Sequence, residues 1–466
     1  MRQKNIAETG TKKLLCALLF KRKGLRMDSR NVSRRGFIKG VTALGVAAQA
    51  VPLIKVRAQG APKKFKVGLI GCGGRGTGAL GNLLEAAKLV GVEIEVLGVA
   101  DVFKDKALDC GKKHNVPEAH CFDGFSGYKK VLELPIDVVL VATSPNFRPV
   151  HVAAAVAAGK HVFMEKPVAV DPPGARRIIA AGEEAKKKGL TVVAGTQRRH
   201  TAGYLQIAKA IQEGRIGNIV GGRVSWCMGA LWFKTREPGE DDAHYMVRNW
   251  PSFAGMSGDH IVEQHVHNLD VANWLIGRTP KSAVGFGGRA RRQTGDQFDF
   301  FSVDYDYDNE LHIHSMCRQI NDCYGGVWEQ FVGTKGTTMG GSNMRTSDGK
   351  KLELPEIKVL ADNGQVQEHV DLLNSILKNE GLNEAQNVAH STLTAIMGRI
   401  AAYTGQLVRW SDLMERTDSP FYNLTLAPAA DDFEKGPVTA PPDDVAPVPG
   451  TESDGKRKEK KGKKKV

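Results

Sequence analysis

Phe65-Lys66-Val67-Gly68-Leu69-Ile70-Gly71-Cys72-Gly73-Gly74-Arg75-Gly76 is the stretch whose reading decides the fold. An apolar run leads into a glycine-rich turn. A helical stretch, Thr77 to Leu89, follows it. A second apolar run, Val96-Leu97-Gly98-Val99-Ala100, then ends at Asp101. The order is strand, tight turn, helix, strand. Gly71, Gly73 and Gly76 have the G-x-G-x-x-G spacing of a dinucleotide-binding turn. Gly71 allows the sharp bend, Gly73 lets the backbone approach a pyrophosphate, and Gly76 lets the helix pack close to the strand. Gly74 and Arg75 lie in the same turn, where a helix N-terminus offers free N–H groups and partial positive charge to phosphates. Asp101 is placed to accept both ribose hydroxyls of the adenosine half. A carboxylate there repels a 2′-phosphate, which favours NAD over NADP. Glycine makes up 52 of 466 residues, so the spacing alone is weak. The strand before it, the helix after it and the acid at the second strand's tip make it specific.

The alternation continues beyond Asp101. Ile136–Val141 is an apolar strand running into Ala142-Thr143-Ser144-Pro145-Asn146. His151 to Gly159 is an alanine-rich helix closed by a glycine. His161–Met164 leads into Glu165-Lys166-Pro167, Pro172 to Lys188 is helical, and Leu190–Ala194 ends in Gly195-Thr196-Gln197-Arg198-Arg199. Strands alternating with helices imply a doubly wound parallel α/β sheet of Rossmann type, assigned to residues 64–197. Ligands on such sheets sit at the carboxyl ends of the strands, where all these polar clusters fall.

The pattern changes after residue 198. Tyr204 to Glu213 is helical and Ile219–Met228 extended. Val303, Tyr305 and Tyr307 alternate with Asp304, Asp306 and Asp308, a period of two with one wet face. Asp308-Asn309 is a hairpin turn into Leu311–Met316. Residues 366–379 and 383–405 have helical periodicity. A second, α+β domain over 198–420 follows, with an open, mostly antiparallel sheet covered on one face. Its bare face predicts a homo-oligomer. Residues 431–466 are Pro-, Ala- and acid-rich, then Lys-rich, and are expected to form a disordered tail with a basic end.

The net charge of +14 is not spread evenly. Residues 1–58 carry +12 and residues 455–466 carry +7, which leaves −5 for the body between them. A mildly acidic body excludes a nucleic-acid surface. Ser33-Arg34-Arg35-Gly36-Phe37-Ile38-Lys39, followed by a small-residue apolar segment to Ile54, resembles a twin-arginine signal. The twin-arginine export machinery is then a partner and the periplasm the destination. The seven cysteines include no C-x-x-C pair, so neither a zinc site nor a disulfide framework is indicated.

Glu263 and His267 are four apart and share a face if the stretch is helical, with Asp270 near His267. A histidine beside a carboxylate can take a proton near neutral pH. His260, Glu263 and His267 do not make an H-E-x-x-H pattern, so no metal is assigned. Lys166, at a strand end before Pro167, places an ammonium where the nicotinamide half should lie.

Together these residues resemble the glucose–fructose oxidoreductase, inositol dehydrogenase and rhizopine-catabolism superfamily over about residues 64–415. The resemblance rests on the glycine turn, Ala142–Asn146, Ala158–Val162 running into Glu165-Lys166-Pro167, Glu263–Asp270 and Gly398-Arg399-Ile400-Ala401-Ala402-Tyr403-Thr404-Gly405. It implies an N-terminal Rossmann domain and a C-terminal open-sheet domain. It also implies an NAD-dependent oxidoreductase acting on a small carbohydrate or polyol. Lys166 and His267 match the catalytic lysine and histidine, with Glu263 as third member where many relatives carry Asp. Thr143, Ser144, Asn146, Glu165, Lys166 and Gln197 join Gly71, Gly73, Gly74, Arg75, Gly76 and Asp101 around the cofactor. Lys166, Arg198, Arg199 and His267 face the substrate. A redox-neutral glycosidase or epimerase with transient sugar oxidation, and a non-catalytic dinucleotide-binding protein, are the alternatives.

Overall fold

Six short apolar segments line up as the first sheet of the computed structural model, which describes residues 64–442. They are β1 (Lys64–Ile70), β2 (Glu93–Ala100), β3 (Cys121–Phe122), β4 (Val138–Val141), β5 (His161–Met164) and β6 (Val192–Ala194). Every pairing is parallel and the order is β3-β2-β1-β4-β5-β6. That is the doubly wound order 3-2-1-4-5-6. The whole of β4 is buried, as a strand covered on both faces must be. The order reverses between β1 and β4, so the crevice at the switch point opens beside the Gly71–Gly76 turn.

Helix α1 (Gly74–Val90) begins three residues before the expected Thr77, directly after Gly73. Its Leu80 and Leu83 pack with Val67, Leu69, Val138 and Leu140. Helices 148–157 and α2 (Pro172–Lys187) cover the opposite face through Val152, Val156 and Ile178. Each fully buried aliphatic side chain of this kind contributes about 1.5–3 kcal/mol.

The second sheet has eight strands: β7 (Ile219–Met228), β8 (Ser282–Gly288), β9 (Phe300–Asp306), β10 (His312–Gln319), β11 (Gly326–Gly333), β12 (Gly336–Met339), β13 (Asn343–Thr346) and β14 (Val408–Arg409). Their order is β13-β12-β11-β7-β10-β9-β8-β14, and only the β7–β10 pair is parallel. The predicted alternation in β9 holds, with Phe301, Val303 and Tyr305 buried. Helices α3 (Val266–Ile276) and α5 (Ala385–Thr404) lie on that inner face. Gly398 of α5 lets Tyr305 approach, since a Cβ there would stand 2.1 Å from the Tyr305 hydroxyl. The outer face stays bare. Phe286 is 73 % exposed, and Val284, Phe300, Val332 and Met339 are exposed with it.

Two expectations are corrected. Helix α4 (Gly364–Lys378), assigned to the second domain, packs on the first sheet, with Val366, Val370 and Leu373 in the same cluster as α1. The helical period marked its apolar stripe but could not say which sheet the stripe would cover. The tail expected to be disordered from Asp431 is ordered to Pro442, the last described residue. Phe433, only 5 % exposed, sits 5.1 Å from the Phe125 ring and 5.0 Å from Phe147. Glu434 pairs with Lys129 and accepts from Ser126, and Asp242 accepts from the Ala440 N–H at 2.7 Å. One aromatic side chain outweighs a disorder-prone composition here. Residues 1–63 and 443–466, including the twin-arginine stretch and the basic end, lie outside the described residues. No helix among the described residues is long and apolar enough to cross a membrane.

Candidate active site

The glycine turn is built for close approach. Gly71 has φ +97°, and a Cβ there would meet the Ala142 backbone at 2.7 Å. A Cβ on Gly76 would come within 1.8 Å of the Gly71 carbonyl oxygen, so α1 can cross β1 only with glycine at this point. Gly73 and Gly74 differ: a Cβ on either meets nothing within 4 Å. The space beside them is what a phosphate group needs. Asp101 is held by the Cys72 N–H at 2.8 Å and the Phe103 N–H at 3.0 Å, which ties the acid to the turn. Two backbone donors leave its remaining lone pairs for ribose hydroxyls. An apolar slot beside it is lined by Ile70, Val102, Phe125, Tyr128 and Phe147. Residues 101–104 give no hint of such a slot in the sequence. Together these features fit a dinucleotide.

Other expected cofactor residues gather at the strand ends. Arg75 Nε donates to Glu165 at 2.5 Å, and its Nη2 lies 3.8 Å from Glu368. Burial, then the nearby Glu165, pushes the Glu368 carboxyl up. Thr143 shares a hydrogen bond with His151 at 3.1 Å, and the Ser144 carbonyl accepts from Phe147 N–H. Asn146 donates to the Met256 sulfur at 3.2 Å. Gln197 opens the one-turn helix 197–200. Arg75 Nη2, Asn146 Oδ1 and Glu263 Oε2 are buried and find no hydrogen-bond partner in the protein. Buried polar atoms of this kind ordinarily have one, and all three belong to residues expected around the cofactor or substrate.

Lys166 and Glu263 meet directly. Lys166 Nζ donates to the Glu263 carbonyl at 2.7 Å and stands 3.3 Å from its carboxylate. The expected continuous helix through Glu263 and His267 is broken: one turn covers His260–Glu263, and α3 starts at Val266. The break turns Glu263 to Lys166 rather than to His267. Asp270, expected near His267, instead holds Arg199 through both carboxylate oxygens at 2.9–3.1 Å and accepts from Ser391 at 2.7 Å. Arg199 therefore serves packing, with its guanidinium also 5.2 Å from the Trp274 ring. Arg198, its neighbour, takes a different course: it pairs with Glu329 and lies over Trp226 at 5.7 Å. Trp226 stacks on His267, with ring centroids 5.7 Å apart and planes at 20°. Burial, then the charges of Lys166, Arg198 and Arg75, holds the His267 pKa well below its ordinary value. The ring is neutral at neutral pH. Among the described residues no group of three His, Cys, Asp or Glu side chains could hold a metal ion.

Residues 65–195 match the model for an oxidoreductase family with an NAD-binding Rossmann fold, and residues 204–339 match the GFO/IDH/MocA C-terminal domain. The chain belongs to the Gfo/Idh/MocA oxidoreductase family. Among similar proteins is an inositol 2-dehydrogenase of Paracoccus denitrificans, 35% identical over 152 residues, which are 32% of this chain and 42% of that one. A myo-inositol 2-dehydrogenase of Thermotoga maritima is 26% identical over 225 residues, 48% of this chain and 58% of that one. The chain thus spans about half the length of the curated relatives it matches. A levoglucosan dehydrogenase solved with NADH and levoglucosan superimposes with a TM-score of 0.60 at 16% identity, covering 74% of this chain and 99% of that one. That likeness places the two Gfo/Idh/MocA domains in a shared fold.

Sequence reasoning missed Trp226 and Glu329, and it gave Arg399 no role beyond its place in the Gly398–Gly405 motif. Arg399 is fully buried and donates to the carbonyls of Val170 and Gly258 at 2.8 and 2.9 Å. It thereby ties the segment after Lys166 to the segment before Glu263. Glu329 carried a usable signal, since it is a charge at an inward position of an alternating strand.

Proposed function

We propose that this chain is an NAD-dependent oxidoreductase acting on a sugar, inositol or related polyol. The observation that carries the proposal is the Lys166–Glu263 pair beside a neutral His267, at the carboxyl edge of a sheet whose first turn is shaped for a dinucleotide. The inositol dehydrogenases and the levoglucosan dehydrogenase among similar proteins support this substrate class. Gly71, Gly73, Gly76 and Asp101 would hold NAD, which supplies the hydride acceptor when bound. His267 takes the proton of the substrate hydroxyl on a ring nitrogen. Lys166 Nζ donates to the same oxygen and offsets the charge that develops there. Glu263 anchors Lys166 with one carboxylate oxygen and presents the other, Oε2, to a hydroxyl.

We further propose export by the twin-arginine route, supported by the order of Arg34-Arg35, Phe37 and the apolar segment that follows. A folded protein sent to a compartment poor in free NAD needs its cofactor loaded beforehand and kept. One experiment tests both proposals. The full chain is purified from the envelope fraction, challenged with sugars and inositols, then denatured, and its nicotinamide dinucleotide is quantified. About one equivalent per chain, reduced by at least one polyol, is expected. Cofactor-free protein would overturn retention, and a loaded cofactor that no polyol reduces would overturn the activity.

A further inference from the structure

Glu329 sits at an inward position of β11, only 1 % exposed, opposite Val224 in β7 and two residues from the buried Phe331. A carboxylate among such neighbours is costly unless it is paired. It is fully engaged: Arg198 Nη1 and Asn268 Nδ2 (2.6 Å) donate to one oxygen, and the Tyr204 hydroxyl (3.0 Å) donates to the other. Asn268 directly follows His267, and Arg198 lies over the Trp226 ring that stacks on His267. An apolar side chain would fill this position at lower cost. The ion pair therefore needs a reason beyond packing.

The charges around His267 supply that reason. Three side-chain cations act on its ring: Lys166, Arg198 and Arg75. Each has its own carboxylate, in Glu263, Glu329 and Glu165 respectively. A fourth cation, Arg148, is buried with its guanidinium on the Pro167 carbonyl. His265 stays neutral, because burial and then His260 and Arg198 push it down to about 3. Among these four described cations, three are matched by carboxylates and the fourth by a carbonyl, so none stands free for a substrate carboxylate or phosphate. Arg198 still has N–H donors beyond the one given to Glu329, and these suit hydroxyl oxygens.

We infer that the cleft is set for uncharged polyols and that Glu329 is the residue that sets it. By pairing with Arg198, Glu329 withholds the guanidinium from anionic sugars such as uronates while holding it over the Trp226 ring. This rests on the polyol-oxidoreductase reading above.

The test compares glucose with glucuronate, which differ at one carbon, on the NAD-loaded full chain. In Glu329→Gln, Arg198 keeps its place but loses its counter-charge. The ratio of kcat/KM for glucuronate to that for glucose should rise at least tenfold, chiefly through a lower KM for glucuronate. The double variant Glu329→Gln/Arg198→Gln should return the ratio toward that of the wild type. It also serves where the single variant folds poorly, since it removes both charges together. An unchanged ratio in Glu329→Gln, or a wild-type preference for glucuronate, would overturn the inference. If the wild type turns over neither sugar, the activity reading is decided by the wider panel of sugars and inositols above. Calorimetric binding of the same two sugars to wild type and variant then decides the inference, by the same tenfold criterion.

Discussion

The two sheets meet the cleft in different ways. The parallel sheet contributes residues just past the ends of its strands: the Gly71–Gly76 turn, Asp101, Asn146, Glu165-Lys166, Gln197 and Arg198. The mixed sheet contributes part of its inner face, where Trp226 and Glu329 stand, together with His267 on the helix that covers it. Loops at strand ends can change without disturbing a core. A side chain on a sheet face cannot, because its neighbours are packed on every side. The parallel sheet should therefore carry cofactor and charge. The mixed sheet should carry geometry and choice of substrate.

The largest effect is expected where both sheets act on one oxygen. Lys166→Ala and His267→Ala should each lower kcat by on the order of 10²–10⁴-fold while NAD still binds, as seen by nucleotide fluorescence. Near-normal turnover in either would take that residue out of the mechanism. A smaller loss confined to the parallel sheet is expected from Gly73→Ala. The added Cβ meets nothing in the protein, so the thermal midpoint should hold. The NAD dissociation constant should rise about tenfold or more, about 1.4 kcal/mol, because the methyl group occupies the space beside the turn. Unchanged affinity would mean that the backbone at Gly73 does not approach the dinucleotide. The smallest effect sharpens the mixed-sheet side. Arg198→Gln removes one of the cations that hold His267 down. With fewer positive neighbours the imidazolium is less disfavoured, so the His267 pKa rises. The acid limb of the kcat/KM profile, where the base becomes protonated, should move to higher pH. A limb that stays in place would mean that Arg198 does not act on the base.

The same contrast explains what could be read from residues alone. A turn whose glycines are forced by backbone contacts, such as Gly71 and Gly76, leaves a local signature. So do β9's alternation and the strand-end positions of Asp101 and Lys166. The Lys166–Glu263 contact joins residues 97 apart in sequence, and nothing near either one announces it. Arg198 and Arg199 look alike in the chain, yet one reaches Glu329 and the other Asp270. Their separate paths come from the one-turn helix at 197–200, which points adjacent side chains in different directions. The α4 stripe shows the same limit, because period gives a face but not its partner.

Phe433 is translated long after Phe125 and Phe147, the two rings it packs against. The polypeptide up to Ala194 has all six strands of its parallel sheet in hand while Phe125 and Phe147, beside Asp101, still lack their cover. Order of synthesis and order of closure thus run in opposite directions along this chain. A nascent protein halted anywhere before Phe433 presents an aromatic patch that the finished protein hides. Under the proposed twin-arginine export, the covering of that patch would mark the difference between a complete passenger and an incomplete one.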